Sequence, residues 1–251
     1  MTSPRPLCEV LANRRWVRRQ LPFPHTVASN VFTAECYAEL DTEFRRIETE
    51  HPEVFQRTMA NYDAAGAELD HYRDGPLGLF LSREWHDLLA SVGGARATGD
   101  VTASMHHHEP GSATGWPHHD YNPGWFADPP AGPNEVRLLA DGQVGYHQGT
   151  RPSGVSARET IRAVSLLFYL ANPEWEPGDG GETALFPNSV SAPAALVPPV
   201  NNSLVLFECT PFSWHTFISN RTKPRNSIVM WIHRSKDDAM ARWGDLDLGR
   251  W

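Results

Sequence analysis

The sequence predicts an α+β fold that is mainly β, with a jelly roll of strands supported by N-terminal helices. Helical patterns come first in the chain, and runs rich in β-branched and aromatic residues follow, a segregation typical of α+β domains. At 251 residues the chain is long enough for one β-rich domain, and it contains no internal repeat. We therefore expect a single domain: helical support over 1–95, a strand core over 96–235 and a C-terminal tail over 236–251.

Two amphipathic helices are predicted in the N-terminal part. Thr33 can cap a helix that runs to about Thr49, because apolar residues recur at steps of three and four. Its apolar stripe comprises Cys36, Leu40, Phe44 and Ile47. A second helix is predicted from Ser82 to Val92, ending at Gly93-Gly94. Its apolar side comprises Trp85, Leu88 and Leu89. Both stripes are expected to pack on a sheet.

Two buried strands are predicted in the C-terminal third. Asn202 to Cys209 and Arg225 to His233 are continuous apolar runs of strand length. The polar segment Ser219 to Pro224 ends in proline, so we predict a hairpin that returns the chain beside itself. Alternate residues of the second strand then share one face. These are Arg225, Ser227, Val229 and Trp231.

A candidate metal site begins with His118 and Asp120. Residues at i and i+2 of a strand project to the same face, so both side chains can reach one point while His119 points away. A third ligand, His215, would complete a set of two histidines and one carboxylate, which leaves positions open and suits non-haem Fe(II). A His-x-Asp pair alone is more often structural, so the assignment depends on its context.

Arg225 and Ser227 are candidates for binding an anion beside that site. A guanidinium offers a planar fork to a carboxylate, and a hydroxyl two residues along the same strand can add a further hydrogen bond. The distal carboxylate of 2-oxoglutarate would need such a pair. Without His215, Arg225 would be read as a surface strand residue.

The region from about residue 91 to 234 resembles the prolyl-4-hydroxylase-like branch of the Fe(II)/2-oxoglutarate-dependent oxygenases. Arg162 to Leu170 matches the family's R-x-x-(T/S)-x-x-x-Y-L strand, and Gly180 to Thr183 matches its GGET turn after Trp175. His215 and Arg225 match the third iron ligand and the 2-oxoglutarate arginine in order and spacing.

The resemblance implies a double-stranded β-helix, the cupin-like form of the jelly roll, and a specific set of site residues. Iron would be bound by His118, Asp120 and His215. The co-substrate 2-oxoglutarate would be held by Arg225, Ser227 and Tyr169. The implied cofactors are Fe(II), 2-oxoglutarate and O2, with ascorbate as a candidate reductant.

The sequence departs from the family at His108. Relatives usually carry a tyrosine ten residues before the first ligand, within Y-x-x-G, whereas this chain has His108-Glu109-Pro110-Gly111. An imidazole could still donate a hydrogen bond to the co-substrate, so His108 is predicted to contact it. The His106-His107-His108 run has no further ligands nearby, which argues against a second metal.

Asp120 also narrows the reaction. Relatives that halogenate have glycine or alanine at this position, so the carboxylate favours hydroxylation. The resemblance implies oxidation of an unactivated C–H bond, with succinate and CO2 as co-products. Desaturation or ring closure would look the same in the sequence.

The segment between Asp120 and Arg162 is predicted to determine specificity, because it is rich in proline and glycine and joins two motif residues. The predicted substrate residues are Trp125, Tyr146, Arg151 and Trp231, with Phe126 and His147 as further aromatic candidates. Each of these aromatic side chains could equally well pack in the core instead of contacting the substrate. Candidate anchors for a substrate carboxylate are Arg137, Arg151 and Arg158, and the spacing does not choose among them.

Composition limits the partners. The 22 basic and 30 acidic residues give a net charge of -8, which argues against nucleic acid. No apolar run is long enough to span a membrane, and prolines interrupt the first 30 residues, so no secretory segment is predicted. Three cysteines are too few for a disulfide framework, and a cytoplasmic location is expected.

The leading functional hypothesis is a dioxygenase acting on a small molecule, such as an amino acid or a specialised metabolite. One alternative is a peptidyl, prolyl-type hydroxylase, which would need an open groove rather than an enclosed pocket. Others are a non-catalytic scaffold on the same fold and a cupin-type metal enzyme without 2-oxoglutarate. The sequence does not predict the oligomeric state.

Overall fold

Two antiparallel sheets face each other, and helices cover the outer face of the larger one. A computed structural model describes residues 5–57 and 62–244. The helices are α1 (Leu7–Val10), α2 (Ala34–Glu50), α3 (Arg83–Gly93) and α4 (Lys236–Trp243). The strands are β1 (Val17–Arg19), β2 (His25–Ser29), β3 (Gln56–Arg57), β4 (Ala64–Glu68), β5 (Val101–His108), β6 (Pro123–Ala127), β7 (Ala157–Tyr169), β8 (Thr183–Phe186), β9 (Ala195–Val197), β10 (Ser203–Glu208), β11 (Trp214–Phe217) and β12 (Arg225–Ser235). Short 3-10 helices cover Pro52–Val54, Leu69–Tyr72, Pro76–Leu81 and Leu139–Asp141.

The larger sheet runs in the order β1-β2-β10-β7-β12-β5-β4-β3, with β6 paired to the first part of β7. The smaller sheet runs β11-β8-β9. Strand β12 lies in the middle of the larger sheet, between β7 and β5, so its inner face looks across at the smaller sheet. This arrangement confirms the predicted mainly β, double-stranded β-helix fold.

The two N-terminal helices form as predicted. Thr33 caps α2 by accepting a hydrogen bond from the Cys36 backbone N–H at 3.3 Å, and Ser82 caps α3 in the same way. Gly94 ends α3 in the left-handed region at φ 68°, where glycine is favoured. Both helices bury their apolar stripes against the outer face of the larger sheet. The principal contacts are Leu40, Phe44, Ile47, Trp85 and Leu89 against Phe168, Ile228 and Met230.

A second, smaller core lies between the sheets. Leu167 and Val229 of the larger sheet pack with Leu185 of the smaller one, and Phe207 joins them from β10. The cavity described below adjoins this core, since Leu167 and Val229 also line it.

Three organisational predictions need correction. Residues 1–95 are more than helical support, because they also supply β1 to β4 of the larger sheet. Residues 236–243 of the predicted tail form α4, and 245–251 lie outside the described residues. The hairpin between the two C-terminal strands is wrong: β7 separates β10 from β12, and β11 in the other sheet intervenes. The consecutive strands β10, β11 and β12 alternate between the two sheets, so β10 and β12 are not paired with each other.

One irregularity interrupts the pairing of β7 with β12. Ile232 pairs with Val164, but the next residue, His233, pairs with Arg162. Ala163 is therefore an extra residue on β7, a β-bulge that reverses the alternation of side chains on either side of it. As a result, Arg162 and Ser165 both face the space between the sheets.

Among the described residues, no helix combines the length and apolar character needed to cross a membrane.

Candidate active site

His118, Asp120 and His215 lie together between the sheets. A short antiparallel bridge places the histidines side by side: each backbone N–H donates to the other residue's carbonyl, at 3.0 and 2.8 Å. One potential ligand atom from each of the three residues lies within 4.8 Å of the others. The residues predicted as ligands from the sequence are thus brought together, and the cluster can hold a metal ion.

Backbone carbonyls fix which ring nitrogen of each histidine faces the cluster. Nδ1 of His118 lies 3.0 Å from the Trp116 carbonyl oxygen, and Nδ1 of His215 lies 3.1 Å from that of Ser213. A carbonyl only accepts, so each Nδ1 carries the proton and each Nε2 presents a lone pair. The Nε2 atoms of His215 and His118 lie 3.4 and 4.0 Å from the carboxylate oxygens of Asp120.

Protonation in the cluster also suits a metal. Burial lowers the pKa of His118 to about 4, which keeps its ring neutral. Burial opposes the charge of Asp120, but the nearby basic groups, with Arg162 among them, outweigh it and hold the carboxyl pKa well below its usual value. Two imidazoles that present Nε2 and one carboxylate are a donor set that Fe(II) accepts, with coordination positions left free.

Two side chains position the Asp120 carboxylate. The indole Nε1–H of Trp231 donates to Oδ2 at 2.8 Å, and the guanidinium of Arg162 lies 3.5 Å from Oδ1. Arg162 also stacks on the Trp231 ring, with its guanidinium carbon 3.8 Å from the ring centroid. Arg162 begins the family strand motif, but the sequence alone indicates no role for its side chain.

A buried cation, Arg225, lies farther along the same face of β12. Its guanidinium donates to the hydroxyls of Ser227 at 3.0 Å and Thr183 at 3.3 Å. The Tyr169 hydroxyl lies 2.7 Å from that of Thr183, and the rings of Tyr169 and Phe217 lie 5.2 and 5.6 Å from the guanidinium carbon. These hydroxyl partners carry no charge, and Arg225 Nε has no hydrogen-bond partner within 5–57 and 62–244. The arrangement fits an incoming carboxylate.

The turn before β8 delivers Thr183 to this position. The Trp175 indole N–H donates to the Gly180 carbonyl at 3.0 Å, and the Gly181 N–H donates to the Ile218 carbonyl at 3.0 Å. Gly180 has φ 80°, and a Cβ there would lie 1.9 Å from the Ser219 carbonyl oxygen. Glycine is therefore required at this position. The GGET motif thus places its final threonine on the guanidinium of Arg225.

One cavity of about 1290 Å³ connects the metal cluster to Arg225. Trp125, Tyr146 and Trp231, three of the predicted substrate residues, line it. Arg151 does not: it is exposed, stacks on the outer face of Trp125 at 5.8 Å and donates to the Gly149 carbonyl. The remaining lining includes His106, His147, Gln148, Arg162, Ser165, Leu167, Thr183, Phe217 and Val229.

His108 is not placed as predicted. Its ring is fully buried and stacks on Phe217 with centroids 3.8 Å apart, and Tyr62 packs against its other side. Neither ring nitrogen has a hydrogen-bond partner among the described residues. His106, two residues earlier on the same face of β5, lines the cavity instead. The packing of His108 therefore does not match its predicted contact with the co-substrate.

Residues 128–156, here called the strap, form one wall of the cavity. Backbone hydrogen bonds of 2.9 Å join Arg137 to Gly99 and Val101, which fixes the strap beside β5. At its tip, Asp141 pairs with Arg73 at 3.0 Å. Tyr146, His147 and Gln148 then face the cavity. The irregular segment predicted to determine specificity is thus an ordered part of the site.

The other two candidate anchor arginines are used to hold the strap. Arg137 donates to the Pro129 carbonyl at 2.9 Å, and Arg158 pairs with Asp128 and with the fully buried Asp100. Neither lines the cavity. Arg162 is the cation that sequence analysis missed, because regular strand alternation would turn it away from Ser165.

A hydrogen-bond chain ties the strap to Arg162. Thr160 donates its hydroxyl to the Gly124 carbonyl at 2.9 Å, so Nδ1 of His233, 3.0 Å away, must donate to Thr160. Burial holds the pKa of His233 well below its usual value, so its Nε2 is bare and accepts from the Tyr146 hydroxyl at 3.3 Å. Tyr146 in turn accepts from Arg162 Nε at 3.1 Å.

Comparisons with known proteins agree with this geometry. The family model described as "2OG-Fe(II) oxygenase superfamily" matches residues 103–233. A Pseudomonas putida prolyl-4-hydroxylase is similar in structure, with a TM-score of 0.57, 18% identity and coverage of 84% of this chain and 92% of that one. No match was found among curated protein sequences.

Two further prolyl hydroxylases share the fold. The enzyme from Trichoplax adhaerens, solved with a hypoxia inducible factor peptide fragment, has a TM-score of 0.57 and 18% identity and covers 86% of each chain. A prolyl 4-hydroxylase from Phytophthora capsici has a TM-score of 0.50 and 22% identity and covers 86% of this chain and 61% of that one.

The matched family region contains all three residues of the metal cluster and Arg225, and it spans more than half of the chain. The protein therefore belongs to the 2OG-Fe(II) oxygenase superfamily and is a dioxygenase that uses Fe(II), 2-oxoglutarate and O2.

Proposed function

We propose that the protein hydroxylates an unactivated C–H bond of a small molecule, such as an amino acid or a specialised metabolite. The observation that carries this proposal is that the His118, Asp120 and His215 cluster and the buried Arg225 open into one walled cavity. Bound iron, with 2-oxoglutarate and O2, would supply the oxidation of the C–H bond, coupled to release of succinate and CO2.

The residues of this chain would position the reactants. His118, Asp120 and His215 would hold the metal through Nε2, a carboxylate oxygen and Nε2. Arg225 and Ser227 would hold the distal carboxylate of 2-oxoglutarate. Thr183 and Tyr169 would support that anion from the smaller sheet and from β7.

Other lining residues would exclude water and orient the substrate. Apolar side chains line the cavity from both sheets: Leu167 and Val229 from the larger sheet and Phe217 from the smaller one. Water in the active site would permit side reactions, and an apolar lining helps to exclude it. Arg162, held on Trp231 and by Tyr146, presents its guanidinium to the same cavity and can donate to a polar group of the substrate.

The strap supports a small-molecule substrate. Tyr146, His147 and Gln148 wall the cavity on one side, and Glu68 and Asp70 wall it on another. The strap reaches these opposite residues, since the Ala140 backbone N–H donates to Asp70 at 3.0 Å. A cavity walled on both sides suits a compact ligand better than an extended chain.

A peptidyl residue is the second candidate substrate. The cavity volume of about 1290 Å³ exceeds the range of roughly 300–1,000 Å³ common for small-molecule sites. The similar structures are prolyl hydroxylases, one of them solved with a peptide. A peptide would have to approach from the side of the cavity that the strap does not cover.

A paired screen would separate the two. Purified protein, loaded with Fe(II) and 2-oxoglutarate, would be supplied with a panel of free amino acids and metabolites, and separately with a library of capped peptides. Succinate formation above the substrate-free rate is the readout, with His215→Ala as the iron-deficient control. Stimulation by free small molecules is expected. Stimulation by capped peptides alone would overturn the small-molecule proposal.

A further inference from the structure

We propose that His106 is a co-substrate-positioning residue, whose imidazole hydrogen-bonds 2-oxoglutarate between Arg225 and the metal cluster. This inference rests on the proposed function, since it takes Arg225 as the carboxylate anchor. It assigns to the site a residue that neither the motifs nor the metal cluster includes.

The strand register places His106 beside the anchor. On β12, Ser227 pairs with His106 across the sheet, and Ser227 accepts the hydrogen bond from the Arg225 guanidinium. On the other side of β5, His106 pairs with Gly66 of β4. Thr102 and Ser104, at alternate positions of β5, line the same cavity. The ring therefore lines the cavity next to the strand position of Ser227, the hydroxyl partner of Arg225.

On the β4 side, the His106 ring lies beside Gly66. Gly66 lacks a side chain, and a Cβ built there would lie 3.9 Å from Nε2 of His106. No hydrogen bond, ion pair or ring contact joins the His106 ring to another residue within 5–57 and 62–244. The ring contributes directly to the wall of the cavity, and its nitrogens are available to a ligand.

The two neighbouring histidines differ in this respect. His107 points to the opposite face of β5, where its Nδ1 lies 2.8 Å from the Glu48 carboxylate and 2.7 Å from the Asn226 amide oxygen. His108 is shielded by Phe217. Of the three consecutive histidines, His106 alone faces the cavity.

Its charge state suits a neutral donor. Burial, together with the nearby Arg225 and Arg162, lowers the pKa of His106 to about 4 against the opposing effect of Asp120. A neutral imidazole has one N–H and one lone pair. Co-substrate oxygens only accept, whether carboxylate or keto, so the N–H would donate to one of them. Arg225 would remain the cation that balances the distal carboxylate.

Three substitutions test the assignment. His106→Phe keeps a ring of similar size and removes the donor. His106→Asn places an amide N–H close to the position of Nδ1, and His106→Gln places one close to that of Nε2. Ser104→Ala, the next residue toward Trp231 on the same face, is the matched control for co-substrate binding.

Two readouts are independent of turnover. Anaerobic titration of the Fe(II)-loaded protein with 2-oxoglutarate gives the dissociation constant and the position of the metal-to-ligand charge-transfer band. The increase in melting temperature with N-oxalylglycine, an unreactive analogue, gives a second measure. His106→Phe is expected to weaken 2-oxoglutarate binding roughly tenfold or more and to move the band, because a hydrogen bond to a charged group is lost. Either the Asn or the Gln variant should recover affinity, which identifies the donating nitrogen.

The contrary results are equally specific. Wild-type affinity and an unmoved band in His106→Phe would overturn the proposal. Parallel loss of Fe(II) affinity and of melting temperature in all three variants, with no recovery by Asn or Gln, would assign His106 a structural role and also overturn it. Absence of the band from the wild-type protein would instead contradict the proposed function itself.

Discussion

Trp231 donates its indole N–H to Asp120 at 2.8 Å, and the guanidinium carbon of Arg162 lies 3.8 Å from the centroid of the same ring. One side chain thus positions both the carboxylate of the metal cluster and the cation that faces the cavity. The two roles use different parts of the indole, its edge for Asp120 and its face for Arg162, so a substitution can separate them.

Trp231→Phe is expected to weaken Fe(II) binding by roughly 10- to 100-fold, the usual effect of removing a hydrogen-bond partner of a metal ligand. Phenylalanine keeps an aromatic face for Arg162 but loses the N–H to Asp120. Anaerobic Fe(II) titration would measure the change. Trp175→Phe is the matched control, because its indole N–H bonds the Gly180 carbonyl outside the cluster. Equal iron affinity in the Trp231 variant and the wild-type protein would contradict the prediction.

Arg225→Ala is expected to weaken 2-oxoglutarate binding by about 1–3 kcal/mol, since a buried carboxylate would be left poorly paired. Arg225→Lys should give an intermediate result, because lysine keeps the charge but lacks the planar fork that reaches Ser227 and Thr183. The dissociation constant of 2-oxoglutarate is the measurement, and Fe(II) affinity is the internal control. If only the KM for the organic substrate rose, Arg225 would belong to the substrate pocket instead.

Tyr146→Phe is expected to raise the KM of the substrate by about tenfold while leaving 2-oxoglutarate affinity unchanged. The change removes the oxygen that accepts from Arg162 and donates to His233, so the guanidinium loses one of its restraints. The ratio of succinate to hydroxylated product should also rise, as the target carbon becomes less well placed. A variant with wild-type KM and coupling would show that the strap does not orient Arg162.

His107 should make stability depend on pH. Burial lowers the pKa of His107, but Glu48, Asn226 and Glu109 outweigh it and raise the pKa to about 9 from an ordinary 6.5. The folded value lies above the unfolded one, so the contribution to stability is complete below pH 6.5 and is lost as pH rises through about 9.

We therefore expect His107→Gln to lower the free energy of unfolding by on the order of 1–3 kcal/mol at pH 6. The difference from the wild-type protein should disappear above about pH 9. Denaturant titrations at pH 6 and pH 10 would measure both values. His71→Gln, the same change at an exposed histidine, is the control. A difference that persists unchanged at pH 10 would contradict the role of the His107 charge.

The parts of the site that could be predicted from the sequence are those fixed by short spacing and composition. His118 and Asp120 are two residues apart, so their side chains share a strand face. His215 is then the residue that completes a set of two histidines and one carboxylate for a metal. The helix ends at Thr33 and Gly94 follow from capping and from the left-handed conformation that glycine favours.

Other parts depend on tertiary contacts that spacing does not encode. His106 and His108 lie on the same face of β5, and Phe217, distant in the sequence, stacks on His108 while His106 lines the cavity. The strap arginines are drawn away from the cavity by Asp100 and Asp128. The hairpin prediction failed because pairing follows the alternation of strands between two sheets, which local turn residues do not specify.

The bulge at Ala163 explains how Arg162 and Ser165, three residues apart in this chain, come to face the same cavity. Side chains three positions apart in a regular strand point in opposite directions, yet Arg162 and Ser165 share the cavity because one additional residue is accommodated between them. The spacing of Arg162 and Ser165 therefore depends on the backbone geometry of β7 as well as on side-chain chemistry. If the strand paired regularly with the same number of residues, Arg162 would turn toward the helices, so the bulge is itself a determinant of the active site.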